Sequence, residues 1–161
     1  MILSGKEVSA SVYDELSDRI GVLLDKNVVP GLAVVLVGED PASQVYVRSK
    51  TRTFKKLDLF TKTYKLPTET SQNELLDLIE ELNNNNSYHG ILVQLPLPKQ
   101  MESDKVINAI DPKKDVDGFH PENAGLLAIG RPRFIPCTPK GIMRIFRHYE
   151  IDLDGKHVVV V

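Results

Sequence analysis

Two short runs of almost purely apolar residues most constrain what this chain can fold into. They are residues 32–37, LAVVLV, and residues 90–95, GILVQL. A strand that is apolar on both sides is typical of a parallel sheet, because helices cover both faces of such a sheet. Apolar residues recur at helical spacing between and around these runs. The alternation predicts an α/β fold with a mostly parallel sheet flanked by helices.

Local signals divide the rest of the chain. Helical periodicity and capping residues predict five helices. Three of them are residues 5–26, residues 41–57 with a cap at Asp40, and residues 103–110. A fourth begins at the capping box of Ser71 and Glu74, and a fifth is capped by Thr138, with Pro139 in its first turn. Residues 60–66 alternate as a more exposed strand does, and residues 157–161 have a buried-strand pattern. Residues 111–136, rich in Pro, Gly and Asp, are interpreted as an irregular connector.

Composition narrows the function classes. A chain of 161 residues with 42% hydrophobic content can build one domain and a piece of another. The net charge of −2 does not favour binding to nucleic acid or to a membrane surface. No apolar stretch approaches the length of a transmembrane helix. The single cysteine, Cys137, excludes an intrachain disulfide and fits a reducing, cytoplasmic compartment. Because residues 157–161 are an apolar strand at the end of the sequence, we expect a fragment of a longer protein.

Four polar residues are expected near the carboxyl ends of the strands, where open α/β sheets bind ligands. Tyr46 and Lys50 share one face of the helix that follows the first strand. Gln94 closes an otherwise apolar strand, and Asp117 lies in the loop after the next helix. A lysine half-removed from water has its ammonium form disfavoured, and Gln94 could accept a hydrogen bond from it. Tyr46 offers a flat face to a planar ligand, and Asp117 could accept from an amino-substituted heterocycle.

Simpler interpretations of these residues stay open. Lys50 could be a solvated surface charge, Tyr46 a core residue and Gln94 an edge residue. Asp115, Asp117 and His120 suggest a metal cluster, but the calcium-loop spacing fails, and neither HExxH nor CxxC is present. The sequence therefore predicts no metal site. It also has no Walker A or GxGxxG loop.

Four segments resemble the bifunctional methylenetetrahydrofolate dehydrogenase/methenyltetrahydrofolate cyclohydrolase family, in the order that the family has them. They are residues 37–50, VGEDPASQVYVRSK; 90–98, GILVQLPLP; 114–121, KDVDGFHP, followed by Asn123 and Gly125; and 136–141, PCTPKG. The resemblance spans essentially the whole chain. Asp58 stands where the family usually has Gly, and Arg52 stands where Lys is common.

The resemblance implies a role for each site residue. Lys50 matches the catalytic lysine of the cyclohydrolase step, and Gln94 matches the glutamine that tunes it. Tyr46 matches the tyrosine that stacks on the folate ring, and Asp117 matches the aspartate that holds the pterin. The implied substrate-binding residues are Tyr46, Val47, Arg48, Ser49, Lys50, Val93, Gln94, Leu95 and Asp117.

The activity implied by the resemblance has two steps in one-carbon metabolism, with purine biosynthesis downstream. NADP takes a hydride from 5,10-methylenetetrahydrofolate, and water then opens the methenyl product to 10-formyltetrahydrofolate. We expect a homodimer, no nucleic-acid or membrane partner, and an NADP site beyond Val161. The expected domains are a folate-binding catalytic domain at 1–120, a connector at 121–136, and the first helix and strand of a Rossmann-like NADP-binding domain at 137–161.

Three alternatives remain at this point. The chain could be a folate-binding fragment without turnover, and we expect no dehydrogenase activity from the 161 residues alone. It could belong to a monofunctional dehydrogenase, although Lys50 and Gln94 together argue against this. A generic α/β phosphate-binding module is disfavoured because the glycine-rich loop is missing.

Overall fold

A computed structural model describes residues 2–160 of the chain. Within this part, a three-stranded parallel sheet lies among six helices, so the predicted α/β fold is confirmed. The elements in chain order are α1 (Gly5–Leu24), β1 (Gly31–Val37), α2 (Pro41–Lys56), β2 (Phe60–Leu66), α3 (Gln72–Asn84), β3 (Gly90–Val93), α4 (Ser103–Ala109), α5 (Pro121–Ala128) and α6 (Cys137–His148).

The strand order is β2-β1-β3, with both pairings parallel. All seven residues of the central strand β1 are buried, as its apolar sequence predicts. Its side chains alternate between two cores. Val35 belongs to the core covered by α3, and Val34 belongs to the core covered by α2. The edge strand β2 is only partly buried, which confirms the prediction of a more exposed strand.

The predicted starts of α2 and α3 are confirmed. The Asp40 carboxylate accepts a hydrogen bond from the Ser43 backbone N–H at 2.7 Å, and a proline occupies the first turn. Ser71 and Glu74 form the full capping box at the start of α3. After the end of α2, Asp58 has a φ of 52°, the left-handed conformation that explains why Gly would also suit this position.

The interpretation of residues 111–136 as irregular was wrong, because α5 lies within them. The His120 Nδ1 atom accepts from the Glu122 N–H, and a proline fits the first turn. Buried Asn123 then anchors the helix by donating to the Pro112 carbonyl at 2.8 Å. Tertiary hydrogen bonds at one asparagine therefore support a helix whose short sequence gives little helical periodicity.

The predicted cap of the last helix was also wrong. The helix α6 begins at Cys137 with Pro136 as the N-cap residue, and Thr138 lies inside its first turn. Pro139 is also in the first turn, where a proline removes no intrahelical hydrogen bond. The helix contacts α1, and an ion pair between Arg144 and Glu15 joins the two.

One predicted strand is shorter than expected, and another is absent. β3 ends at Val93 rather than at residue 95, and the Gln94 N–H makes the next hydrogen bond, to the Val35 carbonyl. Residues 157–160 are exposed and form no strand, because no strand in residues 2–160 lies beside them to pair with. Residue 161 lies outside the described residues. No helix within residues 2–160 has the length and apolar character that crossing a membrane requires.

Candidate functional site

The side chains of Lys50 and Gln94 meet at the carboxyl end of β3. Lys50 belongs to α2, which covers one face of the sheet, and Gln94 directly follows β3. The Lys50 Nζ atom lies 3.5 Å from the Gln94 Oε1 atom, at the outer limit for a hydrogen bond. Both side chains are half-buried. The amine is thus beside a neutral acceptor and still open to a ligand from solvent.

A second hydrogen bond of Gln94 determines which of its atoms faces Lys50. The Gln94 Nε2 atom donates to the Leu95 carbonyl at 2.8 Å, so the Oε1 atom is left to face the amine. The hydroxyl of buried Ser43 donates to the same carbonyl at 3.4 Å. Ser43 therefore joins α2 to the end of β3, next to the lysine.

The loop that holds Asp117 is fixed by Asp115. Asp115 forms a parallel bridge with Ile91 of β3, which places the loop alongside the sheet. The buried Asp115 carboxylate accepts from the Gly118 N–H at 3.1 Å, from the His120 N–H at 2.8 Å and from the Asn123 amide at 2.9 Å. The loop therefore folds around one buried carboxylate, and Asp117 lies at the carboxyl end of β3.

Electrostatics link Asp117 to the lysine. Burial raises the pKa of Asp117 above its usual value, the positive charge of Lys50 acts in the opposite direction, and the charge of Asp115 raises it further. Asp117 also lines a small, mostly apolar cavity between β3 and α4, together with Ile91, Val93 and Phe119. A carboxylate in this position is poorly hydrated, so a ligand that donates hydrogen bonds would be favoured there.

The remaining predicted residues fall into three groups, apart from Leu95, which lines the small cavity with Asp117. Tyr46 is 62% exposed on the same helix as Lys50, so its ring is free to meet a ligand. Ser49 is exposed, but the Val47 and Val93 side chains are buried in the core, so only their backbone can face a ligand. Arg48 is not brought to the lysine, because its side chain lines a different cavity, between α2 and β2.

Reasoning from sequence missed the supporting contributions of Asp115, Asn123 and Ser43. The sequence suggests Asp115 only as a metal ligand, yet its oxygens are occupied by hydrogen bonds within the loop. No group of three or more His, Cys, Asp or Glu side chains in residues 2–160 is arranged to hold a metal ion. The signal that could have revealed Asp115 is its spacing of two residues before Asp117 in a glycine-containing turn, where short carboxylates often accept backbone N–H groups.

The turn from β1 to α2, where an open α/β sheet would hold a pyrophosphate, does not fit a dinucleotide. The turn from β1 to α2 has a single glycine, Gly38, followed by Glu39 and Asp40. The Asp40 carboxylate already accepts the free N–H at the start of α2, and it would repel a pyrophosphate there.

Comparisons with known proteins agree on one family. The profile of the family described as "Tetrahydrofolate dehydrogenase/cyclohydrolase, catalytic domain" matches residues 3–117. The "Bifunctional protein FolD" of Geotalea daltonii is 52% identical over 160 residues, and that of Streptococcus agalactiae is 50% identical over 161. Each match covers 99% of this chain and 57% of the relative, so the chain spans little more than half the length of these proteins.

Solved structures give the same result. The bifunctional methylenetetrahydrofolate dehydrogenase/cyclohydrolase FolD of Campylobacter jejuni has a TM-score of 0.92 at 46% identity, covering 97% of this chain and 56% of that one. The Trypanosoma brucei enzyme, solved with NADP cofactor and inhibitor, has a TM-score of 0.92 at 29% identity, with coverages of 97% and 54%.

Proposed function

Because the chain belongs to the tetrahydrofolate dehydrogenase/cyclohydrolase family, we propose that this protein interconverts one-carbon derivatives of tetrahydrofolate. The proposed reactions are the NADP-dependent oxidation of 5,10-methylenetetrahydrofolate and the hydrolysis of the methenyl product to 10-formyltetrahydrofolate. The distance of 3.5 Å between the Lys50 amine and the Gln94 amide oxygen is the main support, since hydrolysis needs a positioned amine.

The site suits a flat bicyclic substrate. The exposed ring of Tyr46 would stack on the pterin, and the poorly hydrated carboxylate of Asp117 would accept hydrogen bonds from its ring N–H and amino groups. When ionised, Asp117 would also attract the cationic methenyl group. The backbone at residues 46–50 and 93–95 would form the walls.

In the hydrolysis, Lys50 would act as the proton acceptor. As water forms a C–O bond to the methenyl carbon, the neutral amine takes a proton from that water. The bond from this carbon to N5 then breaks, the hydroxyl loses its proton and becomes the formyl carbonyl, and N5 gains one proton, so the single proton released overall is the one on the amine. Gln94 would hold the amine in place as a neutral acceptor, without adding a charge that favours the ammonium form. An ammonium group beside the cationic substrate would be repelled.

NADP would be the hydride acceptor of the dehydrogenase step, which requires correct facing of the two rings. Its site is proposed to lie in the part of the family's length that this chain does not cover, which is supported by the poor fit of the β1–α2 turn.

We also propose domains at residues 1–120, 121–136 and 137–161, in which the second includes α5 and the third begins a Rossmann-like unit. The end of the family match at residue 117 supports the first boundary.

A cytoplasmic homodimer that supplies one-carbon units for purine biosynthesis is the finer form of this proposal. The family resemblance supports the dimer and the pathway. The single cysteine, exposed at position 137, supports a reducing compartment.

The test is the hydrolysis of methenyltetrahydrofolate by the full-length protein and by its Lys50→Met variant. We expect the rate to fall by a factor of about 100 or more, because the proton acceptor is removed. A Lys99→Met variant, changed at an exposed lysine outside the site, should keep its rate. Hydrolysis at the normal rate in Lys50→Met would contradict the role of the lysine.

Two alternatives make different predictions. A monofunctional dehydrogenase would show no Lys50-dependent hydrolysis, and the contact between Lys50 and Gln94 argues against it. A folate-binding chain without turnover would bind methenyltetrahydrofolate at the residues around Asp117 and release it unchanged. Binding without hydrolysis by the full-length protein would favour this second alternative.

A further inference from the structure

A second cavity, distinct from the Lys50 site, lies between α2 and the edge strand β2. It has a volume of about 610 Å³ and a floor that includes the buried side chains of Leu36 and Val47. Five cationic side chains line it, and no acidic side chain does: Arg48, Arg52, Lys55, Lys56 and Lys65. A groove of one sign of charge with low-dielectric walls concentrates counter-ions of the opposite sign.

These cations are not paired within the described residues. The three ion pairs found in residues 2–160 involve Lys105, Arg133 and Arg144, none of which lines the groove. All five cationic residues of the groove are exposed. The positive charge is therefore available to a ligand, although the chain as a whole has a net charge of −2.

The groove is held open by contacts of its own. The Thr51 hydroxyl donates to the Val47 carbonyl at 3.0 Å, so in its 3.2 Å contact with Thr63 it acts as acceptor. This second hydrogen bond joins α2 to β2 along the floor. The cations on either side of the floor are thus presented by two elements whose separation is fixed.

The spacing along α2 suits an extended anion. Arg48, Arg52 and Lys55 are four and three residues apart, so they follow one another along one face. They cover roughly 10 Å of helix length. Lys50 lies about 200° around the helix from Arg48, so it faces the other flank. A ligand in the groove would not touch the amine.

We propose that this groove binds a small oligophosphate, either free or as the phosphate chain of a nucleotide. Arginine guanidinium groups one helical turn apart match successive phosphates with paired hydrogen bonds, and the neighbouring lysines add point charges. Only several linked charges would use the whole row of cations, so a monophosphate would bind much more weakly. This groove is separate from the site proposed for the folate reaction.

The test is calorimetric titration of the full-length protein with inorganic triphosphate, ATP and inorganic phosphate. We expect triphosphate to bind with a stoichiometry of one at this groove and at least about tenfold more tightly than phosphate, and more weakly at high ionic strength. ATP binding as tightly as triphosphate would indicate recognition of the phosphate chain alone, and tighter binding would indicate a nucleotide. Both outcomes support the site.

Matched variants locate the binding. Arg52→Gln/Lys55→Gln removes two cations from the groove, and Lys99→Gln/Lys113→Gln removes two exposed cations elsewhere. We expect about a tenfold loss of triphosphate affinity in the first variant and little change in the second. Equal losses in both variants, or no binding by the unaltered protein, would overturn the proposal. Tighter binding of a short oligoglutamate peptide than of triphosphate would also overturn it.

Discussion

The Lys50 amine and the Gln94 amide oxygen are 3.5 Å apart, although 44 residues separate them in the sequence. Lys50 is on α2, which covers one face of the sheet, and Gln94 directly follows β3. Their contact depends on the packing of α2 across β1 toward β3. The packing that forms the core beneath α2 therefore also positions the Lys50 amine beside Gln94.

A Gln94→Glu substitution should lower hydrolysis while leaving the fold intact. The new carboxylate would lie within hydrogen-bond distance of the Lys50 amine and would favour the ammonium form, which cannot accept a proton. We expect the rate at pH 7 to fall by about tenfold or more, and the pH profile to move toward higher pH. Gln100→Glu, at an exposed position outside the site, is the control. An unchanged pH profile would separate Gln94 from the function of the lysine.

Replacing Asp117 by Asn should change how stability depends on pH. Burial raises the pKa of Asp117 in the folded state, so the folded protein holds this proton more tightly than the unfolded chain does. The free energy of unfolding therefore decreases as the pH rises from the usual value near 3.8 through the raised pKa. Above that pH range, the ionised carboxylate lowers the free energy of unfolding by a constant amount.

Asp117→Asn should accordingly raise the melting temperature at pH 7, and the gain should disappear as the pH falls toward 3.8. Thermal unfolding followed by circular dichroism across this pH range measures the effect. Asp18→Asn, a substitution at an exposed position, is the control. A lower melting temperature at pH 7 would mean that the attraction to Lys50 outweighs the cost of burial.

Two glycines should respond in opposite ways to alanine. A Cβ atom at Gly31 would lie 1.9 Å from the Ser87 backbone oxygen, so the start of β1 would have to shift. Gly31→Ala should cost about 3 kcal/mol or more of the free energy of unfolding. Gly21 lies inside α1 with nothing near its Cβ position, so Gly21→Ala should add about 0.5 to 1 kcal/mol. Urea unfolding of both variants compares them directly.

Asn123→Ala should destabilise the loop that holds Asp117. The fully buried Asn123 amide donates to the Pro112 carbonyl and to the Asp115 carboxylate, and its oxygen accepts from Arg133. Losing these partners leaves buried polar groups without hydrogen bonds, at a cost of about 3 kcal/mol. Hydrogen exchange at residues 115–120 should accelerate more than in Asn86→Ala, which changes an exposed asparagine. Equal exchange in both variants would exclude this role.

Some features of the protein follow from short stretches of sequence. The apolar run of β1, the alternation of β2 and the caps at Asp40 and Ser71 depend on neighbouring residues, and the structure confirms each of them. The expectation for residues 111–136 failed because α5 is anchored by hydrogen bonds from Asn123 to the Pro112 carbonyl and the Asp115 carboxylate, which lie outside the helix. The strand expected at 157–160 failed because strand formation requires a neighbouring strand, which residues 2–160 do not provide there.

The sequence by itself determined five of the six helices in residues 2–160, all but α5, and the three strands of the sheet, because spacing and capping act over a few residues. It also indicated that Tyr46 and Lys50 share a helical face. Only the tertiary structure decided that Gln94 turns its oxygen toward Lys50, that Asp115 orders the loop of Asp117, and that five cations meet between α2 and β2. These arrangements come from contacts between distant segments, whose free energy depends on packing in three dimensions rather than on neighbours along the chain.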